Sequence, residues 1–381
     1  MHSQKVERVI EVLEKRRLDA AVLRLPENIV FLSGYWPFIG WSTMIIGRER
    51  TILLVPESEA EYAREEWRGE LDLIEIGDYE NATKVSEVLK DMKARNIGME
   101  INFNTVASNP VRGEVHIPSE RFRKVLNNLG FRINDISDDI YKLRSIKERE
   151  DVSKIEKAIK VTERALENTV NEIREGMREC ELAAYLESSI MKQTGEVGKI
   201  VFGNVFVMSG KNAVRAGAPF NVSSGKRIER GETILMELNV CVDGYWSDLT
   251  RTWVLGRPTS EQREVYETVY EALMKALEYI REGKRGEDVW KVSWKVIDDR
   301  KLGDFSPHFL GHGIGTGFHE PIPMLMEGSN HVLKDGMTHT VEPGIYKYRM
   351  GGIRIEDIVL VEKRGCKLLS QYQRELEALY R

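Results

Sequence analysis

Residues 234–256, ILMELNVCVDGYWSDLTRTWVLG, have the pattern of two β-strands joined by a tight turn. The turn residues are Asp243 and Gly244, and an Asp-Gly pair between apolar runs is a strong hairpin signal because both residues tolerate a positive φ. A two-residue turn at this point places Leu238 directly opposite Leu249. The segment therefore predicts an antiparallel β-hairpin in one defined register.

Acidic side chains interrupt the apolar runs of this hairpin. In the predicted register Glu237, Asn239, Asp248 and Thr250 share one face, since side chains alternate along a strand. Glu237 and Asp248 are then diagonal neighbours, with backbones about 7 to 8 Å apart. Two carboxylates that close repel each other unless a cation or a proton lies between them. Taken alone, the hairpin fits a solvent-exposed polar face better than a cation site.

The length and composition are those of a globular protein with two domains. The chain has 381 residues, of which 41% are hydrophobic and 31% are charged, and a domain usually takes about 150 residues. We place the boundary near residue 145, between an amino-terminal domain of residues 1–145 and a carboxy-terminal domain of residues 146–381.

The amino-terminal domain alternates helical and extended patterns. A helical stripe in residues 3–17 precedes short apolar runs at 18–25, 42–47 and 51–56 and a helical pattern at 57–67. This alternation predicts a mixed α/β domain, without a glycine-rich phosphate loop.

The carboxy-terminal domain combines helices and strands in separate blocks. A long helix is predicted to end at Gly176, with a further helix from about residue 179 and the hairpin region at 200–256. A helical pair follows at 260–299, and the chain from 305 is rich in strands. The fold class is therefore α/β, of the α+β kind.

Charge and cysteine content exclude several classes of function. The net charge is -5, with 56 basic and 61 acidic residues interspersed, so no polycationic face for nucleic acid is present. No window approaches the roughly 18 continuous apolar residues of a membrane span, and the first residues lack the apolar core of a signal peptide. Three widely spaced cysteines suit a reducing compartment. We expect a cytoplasmic protein that binds neither nucleic acid nor membrane.

Histidines cluster in PHFLGHGIGTGFHEPIP, residues 307–323, where His308, His312 and His319 fall within twelve residues. The glycines between them could suggest a phosphate cradle, but no strand-loop-helix frame ending in Lys-Ser/Thr surrounds them. A single histidine is more often a packed residue. Three together favour a metal ligand with a neighbouring proton donor.

Acids also occur in HTVEPGIYKYRMGGIRIEDIVLVEKRG, residues 339–365. Thr340 and Glu342 share one strand face, and Arg354 and Glu356 share a face of a following strand, so each strand can direct an acid into one cleft. Either motif alone is explained by surface ion pairs.

Taken together, the three segments supply four carboxylates and one imidazole. Such an oxygen-rich set suits two divalent ions, with Mn²⁺ or Co²⁺ favoured and Zn²⁺ possible. The candidate ligands are Glu237, Asp248, His312, Glu342 and Glu356.

The motifs DGYWSDLTRT, GHGIG followed by HE, VEPGIY and GGIRIED resemble those of the pita-bread metallopeptidases, in the Xaa-Pro dipeptidase (prolidase) and Xaa-Pro aminopeptidase branch. LPENIVFLSGY is similar to the family's amino-terminal creatinase-like domain, and LRSIKERED to its domain junction. The resemblance extends over essentially the whole chain. It implies a creatinase-like mixed α/β domain followed by a pita-bread domain.

The resemblance also implies a dinuclear mechanism. Asp248 and Glu356 are expected to bridge the two ions, and His312 and Glu342 to bind one of them. Two ions lower the pKa of a shared water, whose hydroxide attacks the scissile carbonyl. Glu342 would carry a proton to the leaving proline nitrogen, and His319 would stabilise the oxyanion.

Further roles follow from the same resemblance. His308 and His319 are expected at the substrate cleft, and Arg354 is expected to hold neighbouring carboxylates in place. The substrate would be a proline-containing dipeptide or short peptide, and the protein a homodimer. The aromatic segment 34–42 is a candidate contact or cleft-rim loop, or equally an ordinary set of core aromatics.

Two positions depart from the family pattern. Glu237 stands where the family has Asp, and its additional methylene extends the carboxylate by about 1 to 1.5 Å. The family also has a cleft histidine near Ala216 and Gly217, whereas this chain has none between residues 117 and 307. The first departure affects how one metal ion is bound. The second affects which substrates are preferred and how fast they are cleaved.

Three alternatives remain at this point. The first is an Xaa-Pro aminopeptidase that cleaves longer peptides. A creatinase-type enzyme would cleave a C–N bond without metal, but it needs a histidine near Ala216. A non-catalytic pita-bread module would bind proteins in its cleft, and it would have no need of the complete ligand set.

Overall fold

A computed structural model describes residues 3–37, 42–66, 72–77, 81–102, 120–217 and 222–374. It divides the chain into two units, Met1–Arg144 and Ser145–Arg381. Among the described residues, no helix is both long enough and apolar enough to cross a membrane. The candidate contact loop at 34–42 includes residues 38–41, which lie outside the described ranges.

The first unit contains a mixed sheet with helices on both faces. Its described strands are β1 (Ala20–Leu23), β2 (Thr43–Gly47), β3 (Thr51–Pro56), β4 (Asp72–Ile76), β5 (Asn96–Met99) and β6 (Arg132–Asp135). Its described helices are α1 (Gln4–Arg16), α2 (Pro26–Ser33), α3 (Ala60–Glu66), α4 (Asn81–Asp91), α5 (Glu120–Asn128) and α6 (Ser137–Ser145).

The strand order of this sheet is β4-β3-β2-β1-β5-β6. Strand β2 is antiparallel to β1 and β3, and the other neighbours are parallel. Ala21 and Leu23 of β1 pack in one apolar cluster with α1, whereas Ala20 and Val22 pack in another with α4 and α5. Because both faces are covered at the centre of the sheet, β1, β2 and β3 are buried throughout and are largely apolar in the sequence.

The second unit contains the strands predicted to carry the site. Its described helices are α7 (Arg149–Val170), α8 (Glu179–Met191), α9 (Ser260–Tyr279) and α10 (Gly286–Asp299). The first described strands are β7 (Val201–Ser209), β8 (Thr233–Val242), β9 (Tyr245–Val254), β10 (Gly311–Gly313) and β11 (Glu320–Leu325). The remaining ones are β12 (Thr338–Val341), β13 (Gly344–Lys347), β14 (Gly351–Arg354), β15 (Asp357–Glu362) and β16 (Gly365–Leu368).

These strands form three antiparallel sheets in the described part of the unit. Their orders are β7-β8-β9, β11-β10-β12-β15-β16 and β13-β14. Helices α9 and α10 share an apolar cluster with residues of β12, β14 and β15. The predicted mixed α/β class and its two-part organisation are confirmed.

The hairpin predicted at 234–256 is confirmed as β8 and β9. Asp243 and Gly244 have φ values of 47° and 88°, as a two-residue hairpin turn with two left-handed residues requires. Leu238 lies opposite Leu249, in the register that the turn predicts.

The two faces of this hairpin are both buried, but they differ in chemistry. Leu238 belongs to an apolar cluster with residues of α7 and α8. The other face carries the pairs Asn239–Asp248 and Glu237–Thr250. Glu237 is 6% exposed and Asp248 is 2% exposed, so the interpretation as a solvent-exposed polar face is wrong. The helices that cover the apolar face leave the polar face for the site.

The long helix of the second unit ends earlier than its sequence predicts. Helix α7 stops at Val170, not at Gly176. Gly176 N donates instead to Ile228 O at 2.8 Å, and Ile228 N donates to Met177 O at 2.8 Å. These pairings with a distant segment replace the helical hydrogen bonds, which local sequence patterns do not reveal.

Candidate metal centre

The five side chains predicted to bind metal come from different segments of the second unit, and all are buried. Glu237 lies on β8, Asp248 on β9 and His312 on β10. Glu342 follows the end of β12, and Glu356 lies between β14 and β15. Among the described residues, the site therefore draws on strands of two sheets and on the segments that follow β12 and β14.

The last two acids lie just outside strands, whereas the sequence pattern placed each on one. Glu342 N donates to Leu310 O at 2.7 Å, and Glu356 N donates to Thr250 O at 3.1 Å. These backbone bonds give both acids fixed positions although the regular ladders have ended.

Two groups of side chains have ligand atoms within 4.8 Å of one another among the described residues. One group is Asp248, His312 and His319, and the other is His312, Glu342 and Glu356. His312 belongs to both groups, with its Nε2 at 3.6 Å from Asp248 Oδ2 and 3.5 Å from Glu342 Oε1. Four of the five predicted ligands, all except Glu237, therefore lie together around the imidazole of His312.

The orientation of His312 suits metal binding. Its Nδ1 lies 2.9 Å from Gly313 O, so in the neutral ring Nδ1 donates and Nε2 presents a lone pair to the acids. Within the described part of the chain, neither His312 Nε2 nor Glu356 Oε1 has a hydrogen-bond partner, although both are buried. Such atoms cost free energy unless something completes their coordination, and a divalent cation fits this donor set.

The raised pKa values of three of these acids also indicate a site for a cation. Burial raises the pKa of Asp248, and the charges of Glu237 and Glu342 raise it further. Burial likewise raises the pKa of Glu356, with an added effect of Asp248. Burial and the charge of Glu356 raise the pKa of Glu342 to about 8. These acids cannot all ionise together without a cation between them.

Neighbouring polar side chains orient two of the carboxylates. Asn239 Nδ2 donates to Asp248 Oδ1 at 2.6 Å, and Thr250 Oγ1 donates to Glu356 Oε2 at 2.7 Å. Asn239 and Thr250 share the polar hairpin face that strand alternation identified. Their bonds leave the second oxygen of each carboxylate for another partner.

Glu237 has a different environment from the other three acids and the histidine. Arg354 Nη2 donates to Glu237 Oε2, and the two side chains form a buried ion pair. Arg354 Nε also donates to Thr250 Oγ1 at 3.1 Å, and its Nη1 donates to Tyr346 Oη at 3.1 Å. Glu237 belongs to neither of the three-residue groups. This carboxylate therefore lies against Arg354, outside the two groups of potential ligands.

The two other predicted histidines lie in different surroundings. The His319 ring lies 4.0 Å from the His312 ring, centroid to centroid, at an interplanar angle of 71°. His308 is half-buried, and its Nε2 is 2.8 Å from Tyr346 Oη while its Nδ1 is 2.7 Å from Phe309 O. Burial and the nearby Arg354 lower the pKa of His308 to about 4.

Tyr346 joins His308 to Arg354, and the sequence arguments gave it no role. Nδ1 of a neutral His308 donates to the carbonyl of Phe309, so Nε2 accepts from the tyrosine hydroxyl, which in turn accepts from Arg354. The only sequence signal was the position of Tyr346 in VEPGIY. The segment without the family's histidine lies nearby, since Arg354 Nη1 donates to Ala216 O at 3.3 Å.

Comparison with known proteins agrees with this geometry. Residues 153–363 match the model of metallopeptidase family M24, and residues 5–146 match the Creatinase/Prolidase N-terminal domain. A Xaa-Pro dipeptidase of Pyrococcus furiosus is 34% identical over 373 residues, which cover 98% of this chain and 99% of that protein.

Solved structures give the same result. The prolidase from Pyrococcus horikoshii OT3 has a TM-score of 0.84 at 31% identity, covering 98% of this chain and 100% of that one. The X-Pro aminopeptidase from Thermotoga maritima MSB8 has a TM-score of 0.83 at 28% identity, covering 99% of each chain. The resemblance inferred from the motifs is confirmed, and the chain belongs to metallopeptidase family M24, whose members use divalent metal ions.

Proposed function

We propose that this protein hydrolyses the peptide bond before proline in Xaa-Pro dipeptides, with the help of divalent metal ions. The observation that carries the proposal is the buried set of Asp248, His312, Glu342 and Glu356, in which His312 Nε2 and Glu356 Oε1 have no hydrogen-bond partner among the described residues. The relatives named as a Xaa-Pro dipeptidase and a prolidase support the choice of substrate.

The proposed metal site holds two ions, Mn²⁺ or Co²⁺, with Zn²⁺ possible. Bound ions of this kind supply a nucleophile at neutral pH and polarise a carbonyl group. The residues proposed to hold them are Glu237, Asp248, His312, Glu342 and Glu356.

The protein's own groups would orient the substrate and move the proton. Glu342, at 3.5 Å from His312 Nε2, is proposed to accept a proton and deliver it to the proline nitrogen. His319 is proposed to donate to the carbonyl oxygen as negative charge develops there. His308 would line the substrate cleft with His319, and Arg354 would hold Glu237 through their ion pair.

The alternatives differ in what they require of the site. A metal-free creatinase-type reaction needs a histidine near Ala216, where the chain has none. A binding module has no use for a buried set of carboxylates that repel one another. An Xaa-Pro aminopeptidase uses the same site, and the similarity to the Thermotoga maritima enzyme favours keeping it as the second candidate.

Chelation is expected to abolish the peptidase activity. Removal of the ions takes away both the nucleophile and the polarising charge, and Mn²⁺ or Co²⁺ added back should restore turnover. The measurement is the hydrolysis of Met-Pro before chelation, after dialysis against EDTA, and after reconstitution, with metal content determined at each step. Full turnover by a sample shown to be metal-free would exclude the proposal.

A substrate panel tests the specificity. We expect Met-Pro and Leu-Pro to be cleaved faster than Xaa-Ala controls, because the relatives act on the bond before proline. The panel also contains Xaa-Pro-Yaa tripeptides, and kcat/KM is measured for each substrate. Preference for Xaa-Ala would reject the proline assignment, and cleavage of the tripeptides alone would identify an aminopeptidase.

The same resemblance leads us to propose a cytoplasmic homodimer. Light scattering on the purified protein measures its mass directly, and the chain mass of 43.8 kDa sets the monomer value. A monomer at all concentrations would contradict the proposed assembly while leaving the peptidase assignment open to its own tests.

A further inference from the structure

A buried ion pair lies directly beside the proposed site, outside the predicted ligand set. Lys147 Nζ is 2.6 Å from Glu320 Oε2, and the two side chains are 2% and 3% exposed. Lys147 precedes helix α7, and Glu320 begins strand β11. Glu320 is the residue after His319.

The ion pair lies at the end of the loop that connects His312 to His319. Gly313 of β10 pairs with Glu320 of β11, and the register shifts between His312 and Gly313. Residues 313–320 therefore form a loop that has the predicted metal ligand at one end and the predicted oxyanion donor at the other. The placement of His319 relative to His312 depends on the shape of this loop.

Several contacts join the loop to the ion pair. Glu320 Oε1 accepts from Gly317 N at 3.2 Å, inside the loop. A Cβ at Gly315 would lie 2.6 Å from Lys147 Cε and 2.9 Å from Glu320 Oε1, so the loop backbone runs directly against both charged groups. Trp246 N donates to Gly315 O at 2.8 Å and holds the loop from the hairpin side.

Lys147 is itself held firmly by its backbone. Its N donates to Gly336 O at 2.9 Å, and the preceding Ile146 forms a bridge with Met337. The ammonium group therefore extends from a fixed point into the loop. Both charged groups are buried, so neither can exchange its partner for water. The ion pair therefore holds Glu320 at a fixed distance from the Lys147 backbone.

Stability alone is a weak reason for such a pair. Moving two charges out of water costs free energy that their attraction often only offsets, and apolar residues of similar volume serve a core as well or better. A buried pair can instead specify one arrangement of the chain. Here the arrangement it specifies is that of the loop bearing His319.

We propose that Lys147 and Glu320 are positioning residues, whose ion pair fixes the 313–320 loop so that the His319 imidazole stays beside Asp248 and His312. The inference rests on the proposed function for its catalytic consequence. Its structural consequence, an ordered loop, holds independently of any substrate.

The first test measures loop order in the metal-free protein. The variants are Lys147→Met and the double variant Lys147→Met/Glu320→Gln, since the single variant leaves a buried unpaired carboxylate and can fail to fold. We expect hydrogen exchange in peptides covering 313–320 to become about 10-fold faster or more, with exchange in α8 unchanged. Unchanged protection of the loop in the folded double variant would overturn the proposal.

The second test measures the catalytic consequence in the Mn²⁺-loaded protein. We expect kcat on Met-Pro to fall about 10- to 100-fold in the double variant, with KM within about twofold, because a misplaced donor weakens transition-state binding most. The Mn²⁺ dissociation constants are expected to stay within about twofold, because neither Lys147 nor Glu320 belongs to the groups of potential ligands. A fall in kcat explained by loss of Mn²⁺, or no fall at all, would contradict the positioning role.

Two controls separate positioning from general destabilisation. Lys367→Met removes an exposed ion pair with Glu156, and Leu186→Ala opens a cavity in the apolar cluster beneath the hairpin. Both are expected to retain the kcat of the original protein at temperatures where they are folded. If the original protein cleaves none of the proline peptides, the proposed function fails, and hydrogen exchange still decides whether the pair orders the loop.

Discussion

Replacing His312 by Ala is expected to lower kcat/KM by about three orders of magnitude or more, since metal-ion catalysis supplies several kcal/mol of transition-state stabilisation. His312 lies in both groups of potential ligands, and its Nε2 is directed at Asp248 and Glu342. Loss of this imidazole removes the donor that the two groups share. The measurement combines kcat/KM on Met-Pro with metal content of the purified variant.

The control for this variant is His331→Gln. His331 Nδ1 accepts from Met324 N at 3.0 Å, and His331 belongs to neither of the groups of potential ligands. Its replacement is expected to leave kcat/KM within about twofold, because the Gln side-chain oxygen can still accept from Met324 N and no potential ligand is removed. Unchanged turnover and full metal content in His312→Ala would show that the metal is held elsewhere.

Replacing Glu237 by Gln is expected to abolish binding of the second metal ion and to lower activity by about 100-fold or more. The reason is that a neutral amide cannot balance the charge of an ion that Glu237 is proposed to bind. Glu237→Asp is expected to tighten the same ion, because the shorter side chain matches the family pattern. Titration with Mn²⁺ after dialysis gives the stoichiometry and both dissociation constants.

The ion pair with Arg354 affects how tightly Glu237 can bind the second metal ion. Arg354 pairs with Glu237 in the structure, so a metal ion bound by Glu237 would share the carboxylate with a buried guanidinium. We therefore expect the second ion of the unmodified protein to be the weaker of the two. Glu237→Gln variants that retain two ions with unchanged affinity would refute the role, and the site would then hold its ions without this carboxylate.

Much of the fold and part of the site could be predicted from local sequence patterns. The Asp243-Gly244 turn determines the register of the hairpin, because a two-residue turn fixes which residues face each other. Strand alternation then places Glu237 and Asp248 on one face. Burial of that face could not be predicted, since local sequence does not show which distant segments cover it.

Glu342 and Glu356 illustrate a second limit. The sequence identified both acids as candidate ligands in the motifs VEPG and RIED. Their positions, however, depend on backbone bonds to Leu310 and Thr250. Each bond joins segments that are distant in the chain. Strand alternation directed both acids toward one cleft, but it could not show that each lies just beyond the end of a strand, where a backbone bond to a distant segment fixes its position.

The sequence by itself determined the hairpin, the mixed α/β class and the identity of the candidate ligands, because turn chemistry, strand alternation and motif spacing act over short distances. The tertiary structure alone decided that Arg354 pairs with Glu237, that Tyr346 joins His308 to Arg354, and that Lys147 meets Glu320. In each case a charged or polar side chain is withdrawn from water and must find its partner in another segment. The partner of each side chain depends on how the sheets pack, which local sequence patterns do not show.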